Sequence, residues 1–503
     1  MAMANQETET AFYQLLHQMD HYGQALALLA WDSRTGAPKK GVAQRAEVIG
    51  TLSEEIFRIS TSEELKRLLD ELTGEEGLSE ITRKSVEECL KTYDKNKKIP
   101  ADEYKAYVML QTTSEAIWEE AKEKGDFALF QPYLKELVDY NRRFITYLGY
   151  EEHPYNTLLD DYEPGVYVST LDRVFAQLKE RLIPLVHAVD ASSHQPSMEP
   201  LFEHFPKANQ EKLSVGILEK MGYDFSAGRL DETVHPFAIG INPNDVRVTT
   251  KYNENDFRVA LLGTIHEGGH ALYEQNISEE LQGTPLCSGT SMGIHESQSL
   301  FWEKFVGQHE RFWQNAYPLL KQNASGQFDT LPLQDFFFAL NQAKPSLIRI
   351  EADELTYCLH IIIRYELEKG LFEGSIEVED LPKLWNDKME EYLGVRPEHD
   401  GEGVLQDVHW SSGSFGYFPS YALGYIYAAQ LKQAMLRDIP DFDDRLETEE
   451  LDGIRAWLTE HVHQYGKRKK PAEIIADVTG GGIDAGPLLD YLEAKYKELY
   501  QLN

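Results

Sequence analysis

His266-Glu-Gly-Gly-His270 sets two imidazoles four residues apart, with a carboxylate beside the first. On a helix, positions i and i+4 share one face about one turn apart. Both rings can then reach one metal ion, and Glu267 can hold a metal-bound water without ligating. Phe257, Leu261, Leu262, Ile265, Leu272 and Tyr273 recur mostly at helical spacing around the motif, and Asn255 or Asp256 could cap it. The competing reading is a solvated helix with two surface histidines. Gly268 and Gly269 count against it, because each costs about 1 kcal/mol relative to Ala inside a helix. Such a cost is expected where something must approach the backbone closely. His295-Glu-Ser-Gln298 comes next, with Glu296 lying 26 residues beyond His270 (296 − 270). A carboxylate from Glu296 completes a set of two His, one carboxylate and one open position, the arrangement of a catalytic rather than a structural zinc. Cobalt or manganese could occupy the same donors.

These residues need helices to hold them, and helix formers dominate the chain. Leu171, Val174, Phe175, Leu178, Leu182 and Leu185 recur at spacings of three and four, with Ser169 or Thr170 ready to cap. Leu451, Ile454, Leu458 and Val462 repeat the pattern. Segments 42–60, 101–124, 129–148, 208–221, 296–318, 355–368 and 420–437 read as further helices. One stretch breaks the pattern. Phe237-Ala-Ile-Gly-Ile241, a turn at Asn242-Pro-Asn-Asp245 and β-branched Val246-Arg-Val-Thr-Thr250 predict a β-hairpin directly before the metal motif.

Composition limits the function classes. Lys and Arg number 49 against 84 Asp and Glu, a net charge of −35 over 503 residues. A nucleic-acid binder needs a basic footprint, and an anionic membrane surface needs the same. Cys89, Cys287 and Cys358 are too few and too dispersed for a disulfide framework, which favours a reducing, cytoplasmic compartment. The N-terminal stretch does not read as a signal peptide. No Pro/Ser-rich linker divides the chain, so one continuous mainly α body is expected, with two lobes around a cleft. It would comprise a helical part over about 1–230, catalytic motifs over 235–425 and a helical part over 426–503.

Six ordered motifs carry a family resemblance: His235-Pro-Phe237, Asp245-Val-Arg-Val-Thr249, His266-Glu-Gly-Gly-His270, His295-Glu-Ser-Gln298, Ile348-Arg-Ile-Glu-Ala-Asp353 and Gly403-Val-Leu-Gln-Asp-Val-His-Trp410. Trp31-Asp32 with Pro38, and Gly416-Tyr-Phe-Pro-Ser-Tyr421, add to it. The chain resembles the M32 metallocarboxypeptidases of the thermostable carboxypeptidase type. That resemblance implies a helical fold with a small sheet beside a deep groove. It implies a zinc-dependent exopeptidase with one zinc per chain, acting on peptides with a free C-terminus and forming a homodimer. It implies His266, His270 and Glu296 as ligands and Glu267 as the catalytic glutamate. The Asp-x-Arg-x-Thr and Gln-Asp-x-His-Trp motifs are associated with closing the groove and holding the peptide terminus; Arg247 and Arg349 carry over as candidates for that role, with His235 and Gln406 as further substrate-binding candidates.

The chemistry sets further requirements. Glu267 would take a proton from the activated water and pass it to the leaving amine. The oxyanion needs a second donor. Tyr417, Tyr421 and His409 are candidates between which the sequence does not choose. A free α-carboxylate is best recognised by the planar fork of an Arg. Arg349 is the first choice, its neighbours Ile348, Ile350 and Ala352 predicting burial; the alternative is an internal salt bridge to Asp353 or Glu351. For Arg247 the alternative is an exposed salt bridge. Asp407 and Asp353 could orient other side chains. His235 and His295 read as structural more readily than catalytic. The hairpin edge could pair with an extended peptide backbone, which would permit broad specificity. The rival activity is a zinc endo-oligopeptidase that ignores the terminal carboxylate.

Overall fold

Leu-, Ala-, Glu- and Lys-rich segments make this chain helical nearly throughout, with a three-stranded sheet as the exception. The computed structural model describes residues 2–502. Two expected helices begin and end where the periodicity places them, at Val42–Ser60 and Ala101–Lys124. Others occur as Phe127–Leu148, Lys207–Met221, Tyr357–Glu373 and Pro419–Asp438.

Two local expectations need correction. The Val168–Asp190 helix is not capped by Ser169 or Thr170, which fall inside its first turn. The side-chain oxygen of Asn156 accepts the Val168 amide at 2.8 Å instead. The expected 296–318 helix is three pieces: α-helix over Met292–Leu300, π-helix over Phe301–Gly307 and α-helix over Glu310–Asn323. Ser291 Oγ starts the first piece by accepting the Ile294 amide, and His309 Nδ1 starts the third by accepting the Arg311 amide.

The hairpin forms as predicted. Strand β2 (Ala238–Asn242) runs antiparallel to β3 (Asp245–Thr250), with Ala238 opposite Val248 and an irregularity between Gly240 and Asn242. Strand β1 (Leu230–Glu232) joins β3 in parallel and was not predicted, since three residues carry no alternation. The strand order β1-β3-β2 leaves β2 at an edge. Both β2 and β3 pack on the Arg258–Gln275 helix.

The core divides in two. Phe12, Leu16, Leu65, Leu69, Val86 and Tyr93, with their neighbours, form a cluster of their own in the N-terminal helices. The rest of the chain shares one large core. Lys91 pairs with Asp160 at 2.7 Å and Lys95 with Asp161, tying the N-terminal arm to the body. A cavity of about 1210 Å³ lies between them, lined by Lys91, Lys95 and Phe57 on one side and Tyr162, Ser291 and His295 on the other. No described helix is long and apolar enough to cross a membrane.

Candidate active site

The Arg258–Gln275 helix carries the H-E-x-x-H residues, and Asp256 supports its start by accepting the Arg258 amide at 3.2 Å. Its mid-helix glycine has a clear steric reason. A Cβ on Gly269 would lie 2.5 Å from the Gln298 carbonyl oxygen and 2.7 Å from Ser299 Cα. The Met292–Leu300 helix therefore meets this one backbone to backbone. On its other side, a Cβ on Gly424 would lie 2.6 Å from Glu296 Cβ. Glu296 thus packs against the Pro419–Asp438 helix, which gives way to it at Gly424.

The three expected donors converge. Glu296 Oε2 lies 3.8 Å from His266 Nε2 and 3.4 Å from His270 Nε2. All three donor atoms fall within 4.8 Å of one another. Bonds of about 2.0–2.1 Å in a tetrahedral site give donor separations of about 3.3 Å, so these residues fit a tetrahedral divalent ion. The histidine rings stand nearly perpendicular, at 83°. Each has its other nitrogen engaged. His266 Nδ1 contacts Glu303 Oε2 at 2.8 Å, and His270 Nδ1 contacts His295 Nδ1 at 2.6 Å. His295 Nε2 in turn contacts Glu274 Oε1 at 2.8 Å.

Electrostatics follow from this crowding. Burial lowers the His266 imidazole, but Glu296, Glu303 and Glu267 outweigh it and hold the group at about 9. Burial carries His270 down to about 4. Burial opposes the ionised form of Glu296, yet His266 and His270 keep it below the usual carboxylate range. Glu267 is pushed up to about 7, first by burial, with His266 opposing and Glu296 assisting; the Ala238 amide at the edge strand also bonds to it.

A second cluster surrounds Arg349, which is 7% exposed. Burial of Arg349 is as expected, although Ile350 is 74% exposed and contributes nothing to it. Its ion pair is with neither Asp353 nor Glu351. Arg349 Nε donates to Asp407 Oδ1 at 2.9 Å, and Arg364 Nε donates to Asp407 Oδ2 at 2.7 Å. Asp353 instead accepts the amides of Lys344, Leu355 and Thr356. The Arg349 fork lies 4.9 Å from the Tyr421 ring centroid and interacts with Tyr357. His409 Nε2 contacts the Tyr421 hydroxyl at 3.2 Å, and the Tyr417 and Tyr421 rings stand 5.2 Å apart. Burial, and after it the Glu296 charge, raise the Tyr417 and Tyr357 hydroxyls. The aromatic cluster therefore borders the three metal donors.

Other expected residues stand differently. The Gln406 amide is fully engaged within the protein: its oxygen accepts from the Arg349 amide and Arg364, and its nitrogen donates to the Leu347 and Glu402 carbonyls. Arg247 is held by Asp245 and stacks 5.6 Å over Trp31. His235 is exposed in the loop between β1 and β2. Glu274, Glu303, Tyr357 and Arg364 were missed from sequence. Glu274 stands one helical turn past His270, and Arg364 interrupts the apolar run Ile361–Ile363; both were readable signals.

Comparison with known proteins decides the family. Residues 11–496 match the model of the Carboxypeptidase Taq (M32) metallopeptidases. The chain belongs to the M32 family. It is a metallocarboxypeptidase, and M32 membership implies a divalent metal. The chain is 57% identical over 495 residues to Carboxypeptidase 1 of Bacillus subtilis, covering 98% of this chain and 99% of that one. It is 39% identical over 488 residues to Thermostable carboxypeptidase 1 of Thermus thermophilus, covering 94% and 95% of the two chains. The crystal structure of an M32 carboxypeptidase from Deinococcus radiodurans matches with a TM-score of 0.96 at 33% identity, over 98% of this chain and all of that one.

Proposed function

We propose that this M32 enzyme is a zinc carboxypeptidase that removes single residues from the free C-terminus of peptides, with broad specificity. The observation that carries this reading is the juxtaposition of two unlike devices. Three candidate metal donors converge at His266, His270 and Glu296, and the Arg349 guanidinium meets Tyr357 and Tyr421, the same tyrosines that feel the Glu296 charge. One zinc per chain suits two imidazoles and a carboxylate, with cobalt or manganese as substitutes. When bound, it supplies Lewis-acid polarisation of a carbonyl and acidification of a water.

The chain's own residues do the rest. Glu267, held near 7 by burial and its charged neighbours, takes a proton from water and returns it to the leaving amine. Arg349 receives the terminal carboxylate on its fork while Asp407 fixes its Nε. Gln406 acts through Arg349, holding its backbone. Tyr357, Tyr417 and Tyr421 stay protonated at neutral pH and can donate to the developing oxyanion. His409 holds the Tyr421 hydroxyl. The β2 edge beside Glu267 can pair with substrate backbone, which reads any sequence. Arg247, on the central strand of that sheet, and His235, in the loop before β2, are the further candidates for holding the peptide. We further propose a cytoplasmic homodimer working as one catalytic unit; all three cysteines are unpaired, which suits a reducing compartment.

Mass spectrometry of peptides with free and amidated C-termini, with and without a chelator, tests the reading. Stepwise loss of single residues from free termini only, abolished by the chelator, is expected. Internal cleavage indifferent to amidation would make the enzyme an endo-oligopeptidase. Arg349→Ala should erase the preference for free termini; an unchanged preference removes Arg349 from that role.

A further inference from the structure

The two histidine donors are oriented by different devices. His266 leans directly on a carboxylate, Glu303, which the π-helix over Phe301–Gly307 brings to it. His270 leans on a second imidazole, His295, and only that ring reaches a carboxylate. We propose that His295 and Glu274 form a two-step relay that fixes the tautomer of His270 and thereby sets metal affinity. This rests on the assignment of His270 as a donor.

In the zinc-loaded protein the relay assigns the proton positions. An ionised Glu274 can only accept, so His295 Nε2 carries a hydrogen. With that as its only ring hydrogen, His295 offers a lone pair at Nδ1. The 2.6 Å Nδ1–Nδ1 contact admits one hydrogen, which must belong to His270. His270 Nε2 is left with its lone pair directed at Glu296 and His266. Each link fixes the next, and the chain ends at an anchored group, since Glu274 Oε1 also accepts the Gly289 amide at 3.1 Å.

The relay also keeps charge at a distance. Glu267, Glu296 and Glu303 already bear on His266. Lys304 offsets Glu303. A second carboxylate placed directly on His270 would add negative charge at the donors, whereas the intervening ring transmits orientation without it. His295 and Glu274 are positioning residues that act through His270.

The test is metal affinity by competition with a chromophoric zinc chelator, paired with nitrogen-15 imidazole spectra of the zinc-loaded protein. His295→Leu removes the acceptor and should weaken zinc binding about 10–100-fold. His295→Asn restores an acceptor near the Nδ1 position and should recover most of that loss. Glu274→Leu should weaken binding more than Glu274→Gln, whose amide oxygen can still accept from His295; this pair decides the matter if His295→Leu does not fold. The spectra should show His270 with its hydrogen on Nδ1 in the wild type. Wild-type affinity in both His295→Leu and Glu274→Leu would overturn the relay. Failure of the wild type itself to hold zinc would instead overturn the proposed function.

Discussion

The metal half and the carboxylate half of the site are built by opposite means. His266, His270 and Glu296 come from two helices whose backbones touch at Gly269, and their outer partners Glu274, His295 and Glu303 belong to the same two stretches of chain. Arg349, Tyr357, Asp407, Tyr417 and Tyr421 come from loops and helix starts in two stretches, 349–357 and 407–421, joined by the buried ion pairs of Asp407 with Arg349 and Arg364. The metal half leaves three donor atoms facing one another. The carboxylate half sets two arginines against one aspartate and so keeps a net positive charge beside its tyrosines. Repeating backbone geometry can aim lone pairs at a point, whereas long-range charge pairing is needed to bury an arginine and keep it in place.

The largest effect should come from Glu267, the residue proposed to act as base without ligating. Glu267→Gln should lower turnover about 10²–10⁴-fold with metal content unchanged, as read by steady-state kinetics and elemental analysis. Near-normal turnover would remove Glu267 as the base and move the proton transfer to the tyrosine side.

Next comes a contrast between the halves in stability. Asp407 lies against Arg349 and a fully buried Arg364. Asp407→Asn leaves both guanidinium groups short of charge and should cost about 3–5 kcal/mol of folding stability, measured by denaturant titration. Glu303→Gln keeps an oxygen for His266 Nδ1 and should cost less in stability and more in metal affinity. Equal stability losses in the two variants would erase the distinction drawn here.

The same contrast explains what could be read from sequence. The metal half is written at short range: i, i+4 histidines, a mid-helix glycine pair and a nearby carboxylate pointed to three candidate donors, and their atoms converge. The hairpin was equally legible from its turn and β-branched run. Arg349 was legible as a buried arginine, but its partner was not, because Asp407 lies 58 residues away and no local spacing links them. The break after Gly307 escaped because apolar periodicity runs through it. Strand β1 escaped because pairing with β3, not its own three residues, makes it a strand.

Acid should distinguish the halves by a smaller margin. Burial lowers His409 to about 4, with Asp407 opposing and Arg349 and Arg364 assisting. Its ordinary value is about 6.5, so the fold favours the neutral ring. That contribution is complete above about pH 6.5 and is lost as pH falls towards 4, at no more than about 1.4 kcal/mol per pH unit. His409→Gln should flatten the stability profile across that window. Parallel profiles for variant and wild type would mean that His409 titrates normally in the folded protein.

Arg247 should give the smallest change, and it probes what lies between the halves and the N-terminal arm. Its charge is already met by Asp245, from the same strand, in a partly exposed pair. Such pairs contribute at most about 1 kcal/mol, and its stacking over Trp31 adds about 0.5–1 kcal/mol. Arg247→Ala should therefore shift Tm by only a few degrees. Its larger consequence should be geometric, because Trp31 belongs to the first helix and also packs on Phe237, so this corner joins the sheet to the N-terminal arm. Loosening it should admit longer peptides, read from the cleavage rates of a ladder of increasing length. An unaltered length profile would restrict Arg247 to bracing the sheet, and would leave Arg349 as the arginine that senses where the peptide ends.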